Sequence, residues 1–443
     1  MKKIPITLAV ILAISLTSIF IFTGCKEDKA PDQVAEKIVL EWWTWDPDMK
    51  EKNQEIIAEY VKTHPNVSVN NTIVSTKEYW TKIRILANQN KLPDVFTMSS
   101  STLEEWADNG LVLELDSFID SDDTRDKFYP KLLEAVRDVS ATDHYYALPF
   151  ALVTTNLYYN IDAFNAAKLA YPSDDWTWED FRNAAKKLTV DKDNDGKTDQ
   201  YGFWFYGRYA HIEPWIYANG GSILNRTDMS FEPNLAALEA LNMLTDMVLV
   251  DKSAPSQKEM SSIRQQDVFP QGLAAMWVDG SWNIHNNRLV ADPSMKWGIA
   301  KIPSGPSANN TTTYAWTDSY SISPNTKNPQ AAWQFTKYVA GEGLTLNEFV
   351  AGKIPSYIAL TESDAFVDTN QKPAEMYILK EQAASAMKTS FTKGWSEWRG
   401  YGAAEALGFN GLIDGVINGE MSLDEALIKG KKSINTVLSR YYK

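Results

Sequence analysis

The sequence predicts an α/β protein built from two lobes. Segments typical of strands alternate with segments typical of helices along most of the 443 residues, and this alternation favours α/β architecture. At about 150 residues per domain, the length corresponds to roughly two to three domains. Because no repeat, low-complexity block or Pro/Gly-rich linker divides the chain, we expect two lobes made of interleaved segments rather than consecutive domains.

Strand and helix signals recur in order along the chain. Short apolar, β-rich runs predict strands at residues 38–43, 67–74, 93–96, 157–160 and 273–278. Helices are expected where a capping residue or proline precedes apolar residues at helical spacing. These starts are Asp46-Pro47, Ser101 with Glu104, Thr177 with Asp180, Pro329, and Ser422 with Glu425. His64-Pro65, Gly110 and Gly341 mark helix ends.

The N-terminus predicts export from the cytoplasm. Met1-Lys2-Lys3 precedes an apolar run over residues 4–22, which is the pattern of a secretory signal peptide; the alternative is a retained membrane anchor. Phe22-Thr23-Gly24-Cys25 resembles the lipobox of bacterial lipoproteins, with Phe22 in place of the usual leucine. This resemblance implies a signal peptide over residues 1–24 and a lipid on Cys25. Residues 25–37 would then be the lipidated cysteine and a flexible tether.

Composition and motifs argue against several classes of function. The net charge of −14 argues against nucleic-acid binding, which depends on clustered Lys and Arg, and leaves the lipid as the membrane contact. The sequence lacks the G-x-S-x-G, H-E-x-x-H and P-loop motifs. Its histidines lack metal-ligand spacing. We therefore expect no enzymatic activity, although a glycosidase-like carboxylate pair stays open among 57 acidic residues.

Aromatic residues are the strongest functional signal. The chain contains 16 Trp, 20 Tyr and 17 Phe residues. Flat rings match the apolar faces of pyranose sugars, while polar neighbours bind the hydroxyl groups. Candidate rings at turns are Trp45, Trp204, Trp215, Trp282, Trp316, Trp395 and Trp398. The alternative for each ring is packing in the core, and we expect that role for Trp178 and Trp333.

Asp46 has two interpretations. It directly follows the aromatic segment that ends in Trp45. An ionised carboxylate accepts hydrogen bonds, so Asp46 is a candidate to bind two sugar hydroxyls. Alternatively, it caps the helix that begins at Pro47.

An aspartate-rich loop has calcium-loop spacing. Asp-Lys-Asp-Asn-Asp-Gly-Lys-Thr-Asp at residues 191–199 places oxygen ligands at positions 1, 3, 5 and 9, with glycine at position 6. The candidate metal-site residues are Asp191, Asp193, Asp195, Lys197 and Asp199. Gly202 stands where an EF-hand has its glutamate, so a hydrated turn is the alternative. Calcium here would be structural, and no cofactor is required.

The order of short motifs resembles the extracellular solute-binding proteins of ABC sugar importers, the family that includes maltodextrin-binding protein. The matching segments include residues 45–46, 93–96, 148–150, 177–181, 219–221, 272–276, 280–282, 322–324 and 419–422. The resemblance implies a two-lobed periplasmic-binding-protein-like fold of type II, with a ligand cleft that closes about a hinge. We expect an N-terminal lobe of residues 38–151 and 314–366, and a C-terminal lobe of residues 152–313 and 367–443.

The resemblance also implies the site and the function. The candidate ligand-binding residues are Trp45, Asp46, Ser99, Ser101, Arg208, Tyr209, Trp282, Trp316, Asp318, Trp395 and Trp398. Val153 replaces an acid of the maltodextrin binders, a departure that argues against a maltodextrin ligand. We expect a monomeric lipoprotein that binds a mono- or oligosaccharide outside the membrane and delivers it to ABC permease subunits. The alternatives are another polar solute, such as a sugar phosphate or peptide, and a polysaccharide-cleaving enzyme.

Overall fold

The computed structural model describes the chain from residue 37 to residue 442 with internal gaps. The described residues are 37–121, 123–137, 143–308, 313–346, 352–363, 366, 373–383, 387–389, 391–400 and 408–442. The predicted signal peptide, Cys25 and the tether up to residue 36 lie outside them. In the described segments, no helix combines the length and apolar character needed to cross a membrane.

Strands and helices alternate as predicted. The strands are β1 (Ile38–Thr44), β2 (Val67–Ile73), β3 (Val95–Ser99), β4 (Leu148–Asn160), β5 (Leu224–Asn225), β6 (Ser230–Phe231), β7 (Met276–Gly280), β8 (Trp297–Ala300), β9 (Thr313–Ile322), β10 (Ile354–Pro355) and β11 (Met387–Lys388). The first helices are α1 (Lys50–Thr63), α2 (Thr76–Asn88), α3 (Leu103–Asp108), α4 (Asp116–Ile119), α5 (Thr124–Lys127), α6 (Pro130–Glu134), α7 (Ile161–Ala166), α8 (Trp178–Leu188) and α9 (Tyr209–Ala218). The later helices are α10 (Leu235–Leu249), α11 (Asn283–Val290), α12 (Pro329–Ala340), α13 (Ile358–Thr361), α14 (Tyr377–Ala383), α15 (Trp395–Arg399), α16 (Phe409–Ile417) and α17 (Leu423–Tyr441). Short 3-10 helices lie at Pro47–Met49, Gln265–Asp267 and Glu342–Leu346.

The main sheet has the strand order β10-β4-β9-β3-β1-β2, with β7 and β8 also pairing with β4. β1 is parallel to both β2 and β3, whereas β9 is antiparallel to β3 and β4. β3 and β4 are buried along their whole length, whereas β1 alternates between buried and partly exposed residues.

The long strand β4 joins two parts of the molecule. Its first half, up to Thr154, pairs with β9, whereas residues from Thr155 onward pair with β7 and β8. The Thr155 hydroxyl donates to the carbonyl of Tyr314 at 3.0 Å, where the partner changes. All 13 residues of β4 are buried, so the change of partner takes place inside the protein.

Large hydrophobic clusters lie on either side of this change. The first draws its buried residues from positions 40–151 and 320–344, and the second from positions 157–300 and 395–438. A third cluster combines residues of both regions, including Leu152, Trp277 and Ile354. The lobe boundaries given above stay a prediction.

Helix caps follow the sequence signals in part. Thr177 and Asp180 form the predicted capping box at α8, and Ser422 accepts the backbone N–H of Glu425 at α17. The capping box predicted from Ser101 and Glu104 is wrong: α3 begins at Leu103 without a side-chain cap bond. The N-cap position is Thr102 instead of Ser101, and the Thr102 hydroxyl donates to Met98 Sδ and to the Ser99 carbonyl.

Four tryptophans of the sequence analysis lie in the core. Trp178 and Trp333 are buried, as expected for structural residues. Trp204 and Trp215, which the sequence places at turns, have no exposed surface. Trp215 packs against Phe181 at 4.5 Å between ring centroids, so these two rings stabilise the fold.

We expect Thr177→Ala to lower the free energy of unfolding by about 1 kcal/mol, because the Thr177 side chain satisfies the backbone N–H of Asp180 at 3.2 Å. Thr177→Ser keeps the acceptor oxygen and serves as the matched control. Urea unfolding followed by circular dichroism measures both variants. Equal unfolding midpoints for Thr177→Ala and the native protein would show that the capping box contributes nothing.

Candidate ligand-binding site

One face of β9 carries the residues around which the site is built. Side chains alternate along a strand, so Tyr314, Trp316 and Asp318 point to the same face. Trp316 lies opposite Val153 of β4, and Asp318 lies opposite Ser99 of β3. The strand therefore places an aromatic ring and a carboxylate next to each other.

An aromatic platform surrounds Trp316. We define this platform as Tyr209, Trp282, Trp316, Phe391 and Trp395. Trp316 lies 5.3 Å from both Tyr209 and Trp282, and Tyr209 lies 5.1 Å from Trp395, measured between ring centroids. Phe391 closes the set at 5.1 Å from Trp395. Rings that are distant in sequence thus form one cluster, in which Trp316 and Trp395 are buried and Tyr209, Trp282 and Phe391 are half-buried.

Trp282 reaches the platform because of the turn that carries it. Gly280 ends β7, and a Cβ atom at Gly280 would lie 1.9 Å from the Trp282 ring. Glycine is therefore required for the indole to fold back over the strand end. The ring is half-buried, whereas Val153, which packs in the same cluster, is fully buried. An apolar residue at position 153 suits a ring surface better than an acid would.

A buried acid orients the cation of the platform. The Arg208 guanidinium lies 5.6 Å from the Tyr209 ring centroid and 5.3 Å from that of Trp282. Its Nη1 is 3.5 Å from Oδ2 of Asp279. Asp279 also accepts hydrogen bonds from Asn283 Nδ2 at 2.7 Å and from the Gly280 N–H at 2.8 Å. Arg208 is thereby directed toward the two rings.

The charges of this group follow from its surroundings. Burial acts to raise the pKa of Asp279, but Arg208, His211 and the Gly280 N–H outweigh burial and hold that pKa below its usual value. Burial lowers the pKa of His211, despite the neighbouring Asp279 carboxylate. At neutral pH, Arg208 and Asp279 therefore form a charge pair beside a neutral imidazole.

A second polar group lies along β9 from the platform. We call it the carboxylate cluster and define it as Asp46, Ser99, Ser101, Asp318 and Lys353. Lys353 Nζ lies 2.8 Å from Asp318 and 3.4 Å from Asp46. The Ser101 hydroxyl donates to Ser99 Oγ at 3.0 Å. The cluster offers carboxylate and hydroxyl oxygens to a ligand beside the platform.

The structure does not support the capping interpretation of Asp46, and its role in sugar binding stays a prediction. Asp46 precedes the 3-10 helix Pro47–Met49 but makes no side-chain cap hydrogen bond to it. Its carboxylate contacts Lys353 instead. Burial acts to lower the pKa of Lys353, but Asp318 and Asp46 outweigh burial and raise that pKa above its usual value. Lys353 is therefore protonated at neutral pH and balances part of the negative charge.

Eight of the eleven predicted ligand-binding residues belong to these two groups, and a ninth, Arg208, lies against the platform. Tyr209, Trp282, Trp316 and Trp395 meet at the platform, and Asp46, Ser99, Ser101 and Asp318 meet in the carboxylate cluster. The structure places the other two elsewhere. Trp45 packs on Tyr79 and Trp80 at 5.2 and 5.7 Å between ring centroids.

Trp398 is 1% exposed and belongs to the second hydrophobic cluster. Its Nε1 donates to Thr392 Oγ1 at 2.9 Å, and the Arg399 guanidinium lies 4.7 Å from its ring centroid. Arg399 is itself buried and forms an ion pair with Glu213. These contacts give Trp398 a packing role.

Sequence reasoning missed three residues of the site. Phe391 is close in sequence to Trp395, and Asp279 is close in sequence to Trp282. This closeness to two predicted residues was the available signal. Lys353 had no such signal, because it is one of 43 Lys and Arg residues and its partners are remote in sequence.

The aspartate loop lies apart from both groups in the sequence and is exposed. Asp191, Asp193 and Asp195 each place a carboxylate oxygen within 4.8 Å of the others. The backbone N–H of Asp195 donates to Asp191 and Asp193, and the N–H of Lys192 donates to Asp199. A bridge between Val190 and Gln200 closes the loop.

Curated relatives cover about three quarters of the chain. A putative binding protein of Brucella abortus is 24% identical over 330 residues, covering 73% of this chain and 74% of that protein. A maltotriose-binding protein of Pyrococcus abyssi is 26% identical over 310 residues, covering 68% of this chain and 62% of that protein.

Solved structures share the two-lobed fold. An ABC substrate-binding protein of Listeria monocytogenes in complex with cycloalternan has a TM-score of 0.79 at 22% identity, covering 92% of this chain and all of that one. The maltotriose-bound maltodextrin-binding domain of Bdellovibrio bacteriovorus has a TM-score of 0.70 at 20% identity, covering 90% and 99% of the two chains. The predicted periplasmic-binding-protein-like fold is thus confirmed.

Residues 42–344, more than half of the chain, match one protein family throughout. The match covers the end of β1, the serine loop after β3, Arg208, Trp282 and the whole of β9. This chain therefore belongs to the bacterial extracellular solute-binding proteins.

Proposed function

We propose that the protein is the substrate-binding lipoprotein of an ABC importer and binds an oligosaccharide at the aromatic platform and the carboxylate cluster. One observation carries the proposal: β9 presents Trp316 and Asp318 on one face, at the meeting point of the two groups. A sugar lying along this face would stack its apolar side on indole and donate its hydroxyls to carboxylate and serine oxygens.

The extent of the platform favours an oligosaccharide over a monosaccharide. A single pyranose covers about one indole, whereas the platform contains five rings. Each ring lies 5.1 to 5.3 Å from the next, measured between ring centroids. The similarity to a maltotriose-binding protein and to a multiple sugar-binding protein supports the same class of ligand. The apolar Val153 beside Trp316 favours stacking at the point where maltodextrin binders use an acid.

Anionic ligands are disfavoured by the charges of the site. Arg208 is paired with Asp279, and Lys353 is paired with Asp46 and Asp318. A sugar phosphate would have to compete with these buried carboxylates for their cations. Breaking such pairs leaves a buried charge without its partner and is costly.

We infer that the protein binds its sugar without cleaving it. A glycosidase needs two carboxyl groups facing each other across the scissile bond. Asp46 and Asp318 do not fit this requirement, because the Lys353 ammonium occupies the space between them. Absence of reducing-end release from a bound oligosaccharide is the corresponding test.

Location and delivery complete the proposal. The family acts outside the cytoplasmic membrane, and the N-terminal sequence favours a lipid on Cys25 as the anchor. A monomer that closes on sugar would present its two lobes to the permease subunits in one arrangement. Residues 25–37 would give this unit the reach of a short flexible tether.

We also propose that the aspartate loop binds one structural calcium ion. The three carboxylates within 4.8 Å of one another support a site of hard oxygen ligands. The backbone N–H bonds to Asp191 and Asp193 already hold the loop in a tight turn. An ion there would pin the hairpin between Val190 and Gln200 and would not touch the sugar.

A thermal-shift screen against oligosaccharides tests the proposed function. At a ligand concentration of about 100 Kd, binding to the folded state raises the Tm by about 3 °C for a protein of this size. We expect such a shift with at least one uncharged oligosaccharide and no shift with its sugar-phosphate counterpart. A panel of oligosaccharides, monosaccharides and peptides without any shift would contradict carbohydrate binding.

Trp282→Ala should weaken sugar binding by about 30-fold, or about 2 kcal/mol, because it removes a central stacking ring. The Tm of the unliganded protein should change little, since the ring is half-buried. Trp176→Ala is the matched control: Trp176 is also half-buried but packs on Phe164 away from the platform. Isothermal titration and thermal unfolding measure both variants.

Two outcomes of this comparison would contradict the proposed role of the aromatic platform. A large drop in Tm for Trp282→Ala with unchanged affinity would show that Trp282 belongs to the core. Equal losses of affinity in Trp282→Ala and Trp176→Ala would show that the platform has no specific role.

Calorimetry on chelator-treated protein tests the calcium proposal. We expect saturable heat with a Kd on the order of 10⁻⁴–10⁻³ M, the range of exposed extracellular calcium sites. Asp193→Asn removes one ligand charge and should abolish the heat, whereas Asp228→Asn alters an exposed aspartate outside the loop and should not. No heat at millimolar calcium would eliminate the site.

A further inference from the structure

We propose that Lys353 is a positioning residue of the sugar site: its ammonium fixes the carboxylates of Asp46 and Asp318 as paired acceptors and directs the site toward uncharged sugars. This inference rests on the proposed function. It deepens that proposal by assigning a role to a residue outside the sequence motifs and by defining the charge of the ligand.

The geometry of Lys353 is that of a buried bridge. The residue is 3% exposed, and its Nζ lies between two carboxylates that come from different elements, the end of β1 and the middle of β9. Nζ is also 5.7 Å from the Phe150 ring centroid. Without the ammonium, two like charges would face each other, and the burial of Asp318 would strengthen their repulsion.

The backbone around Lys353 is fixed on both sides. Gly352 has φ of 80°, and a Cβ atom there would lie 2.7 Å from the Ser281 carbonyl oxygen and 2.7 Å from Ile284 Cβ. On the other side, Ile354 pairs with Leu152 of β4. The lysine therefore extends from a segment wedged beneath the turn that carries Trp282, which links the carboxylate cluster to the aromatic platform.

The charge of the cluster follows from this arrangement. Two carboxylates and one ammonium leave one net negative charge, and Asp46 keeps 30% of its side chain exposed. The exposed Asp46 oxygens can accept hydroxyl donors from a sugar. A uronate or phosphate would meet a carboxylate instead of a free cation.

Titration of the surrounding groups provides a signature. The titratable groups facing Lys353 are Asp46, Asp318 and Tyr320. Burial raises the pKa of Asp318, and Lys353 counteracts that rise. Burial also raises the pKa of Tyr320, with Asp46 and Asp318 adding to the effect, so the phenol stays neutral across the accessible range.

Removal of the lysine should leave the burial of Asp318 without a counter-charge. Its folded-state pKa then rises further above the unfolded value, so the folded protein favours the protonated acid. Stability contributed by such a group is present at low pH and lost as pH rises. In the native protein, the stability contributed by Lys353 is kept until the pH exceeds the usual pKa range of lysine, because the folded-state pKa of Lys353 is raised.

Lys353→Met, measured with and without sugar, tests the inference. In the unliganded protein, we expect its Tm relative to the native protein to fall progressively between pH 4 and pH 8. Its affinity for the uncharged oligosaccharide found in the screen should be at least about tenfold weaker at pH 6 and should recover as pH rises. Lys353→Arg keeps the charge and should restore most of the affinity.

Lys301→Met is the matched control. Lys301 also bridges two carboxylates, Asp174 and Glu381, at 2.8 and 2.9 Å, but lies outside the site. We expect Lys301→Met to leave the affinity for the sugar, and the pH dependence of that affinity, unchanged. Asp318→Asn tests the same pair from the other side if Lys353→Met does not fold: it should weaken sugar binding by about tenfold.

The possible results separate the two proposals. If the native protein binds none of the sugars, the proposed function fails, and the unliganded Tm profile still decides whether Lys353 holds Asp318. If the native protein binds sugar, but Lys353→Met binds equally well and loses Tm equally at every pH, only the role of Lys353 is overturned. Binding of the matching uronate with higher affinity than the uncharged sugar would overturn the selectivity.

Discussion

The pairing of β9 between β3 and β4 is the constraint on which the site depends. One face of β9 carries Trp316 and Asp318, and the opposite face carries hydroxyls that anchor the strand. Ser319 donates to the Met98 carbonyl at 3.2 Å, and Ser321 donates to the Tyr146 carbonyl at 2.9 Å. A register shift of one residue would exchange the two faces and move Trp316 and Asp318 away from the residues that surround them. The hydrogen bonds of the serine face therefore specify which face carries Trp316 and Asp318.

Paired charges give the site its second property. Arg208 beside the platform is held by Asp279, and Lys353 in the carboxylate cluster is held by Asp46 and Asp318. Burial makes an isolated charge costly, so the pairing is needed for folding as much as for binding. Its consequence for recognition is that oxygen acceptors, rather than free cations, are presented to the ligand. Together with five aromatic rings, this surface matches neutral polyhydroxylated molecules.

The sequence predicted the features that depend on residues close together in the chain. The α/β class, the capping box of Thr177 and most strand positions follow from local patterns, and the family resemblance identified Trp282, Asp318 and their neighbours. What it missed depends on remote partners. Trp282 and Trp398 are both tryptophans that the sequence places at turns, yet the Trp398 ring packs against the Arg399 guanidinium in the core. Asp46 forms an ion pair with a lysine 307 positions away instead of capping a helix, and no local pattern could indicate this contact.

The placement of the two groups also explains why closure and binding would be coupled. Trp316 and Asp318 lie on β9, whereas Tyr209 and Trp282 come from elements of the chain that pair with or pack beyond the second half of β4. A sugar that contacts both sets gains its full binding free energy only when they lie together. Such a sugar binds the arrangement in which the two sets lie together more tightly than any arrangement in which they are separated. This difference in affinity shifts the conformational equilibrium. A ligand that touched the carboxylate cluster alone would bind both arrangements equally and shift neither, so the span of the platform is as important for signalling occupancy as it is for affinity.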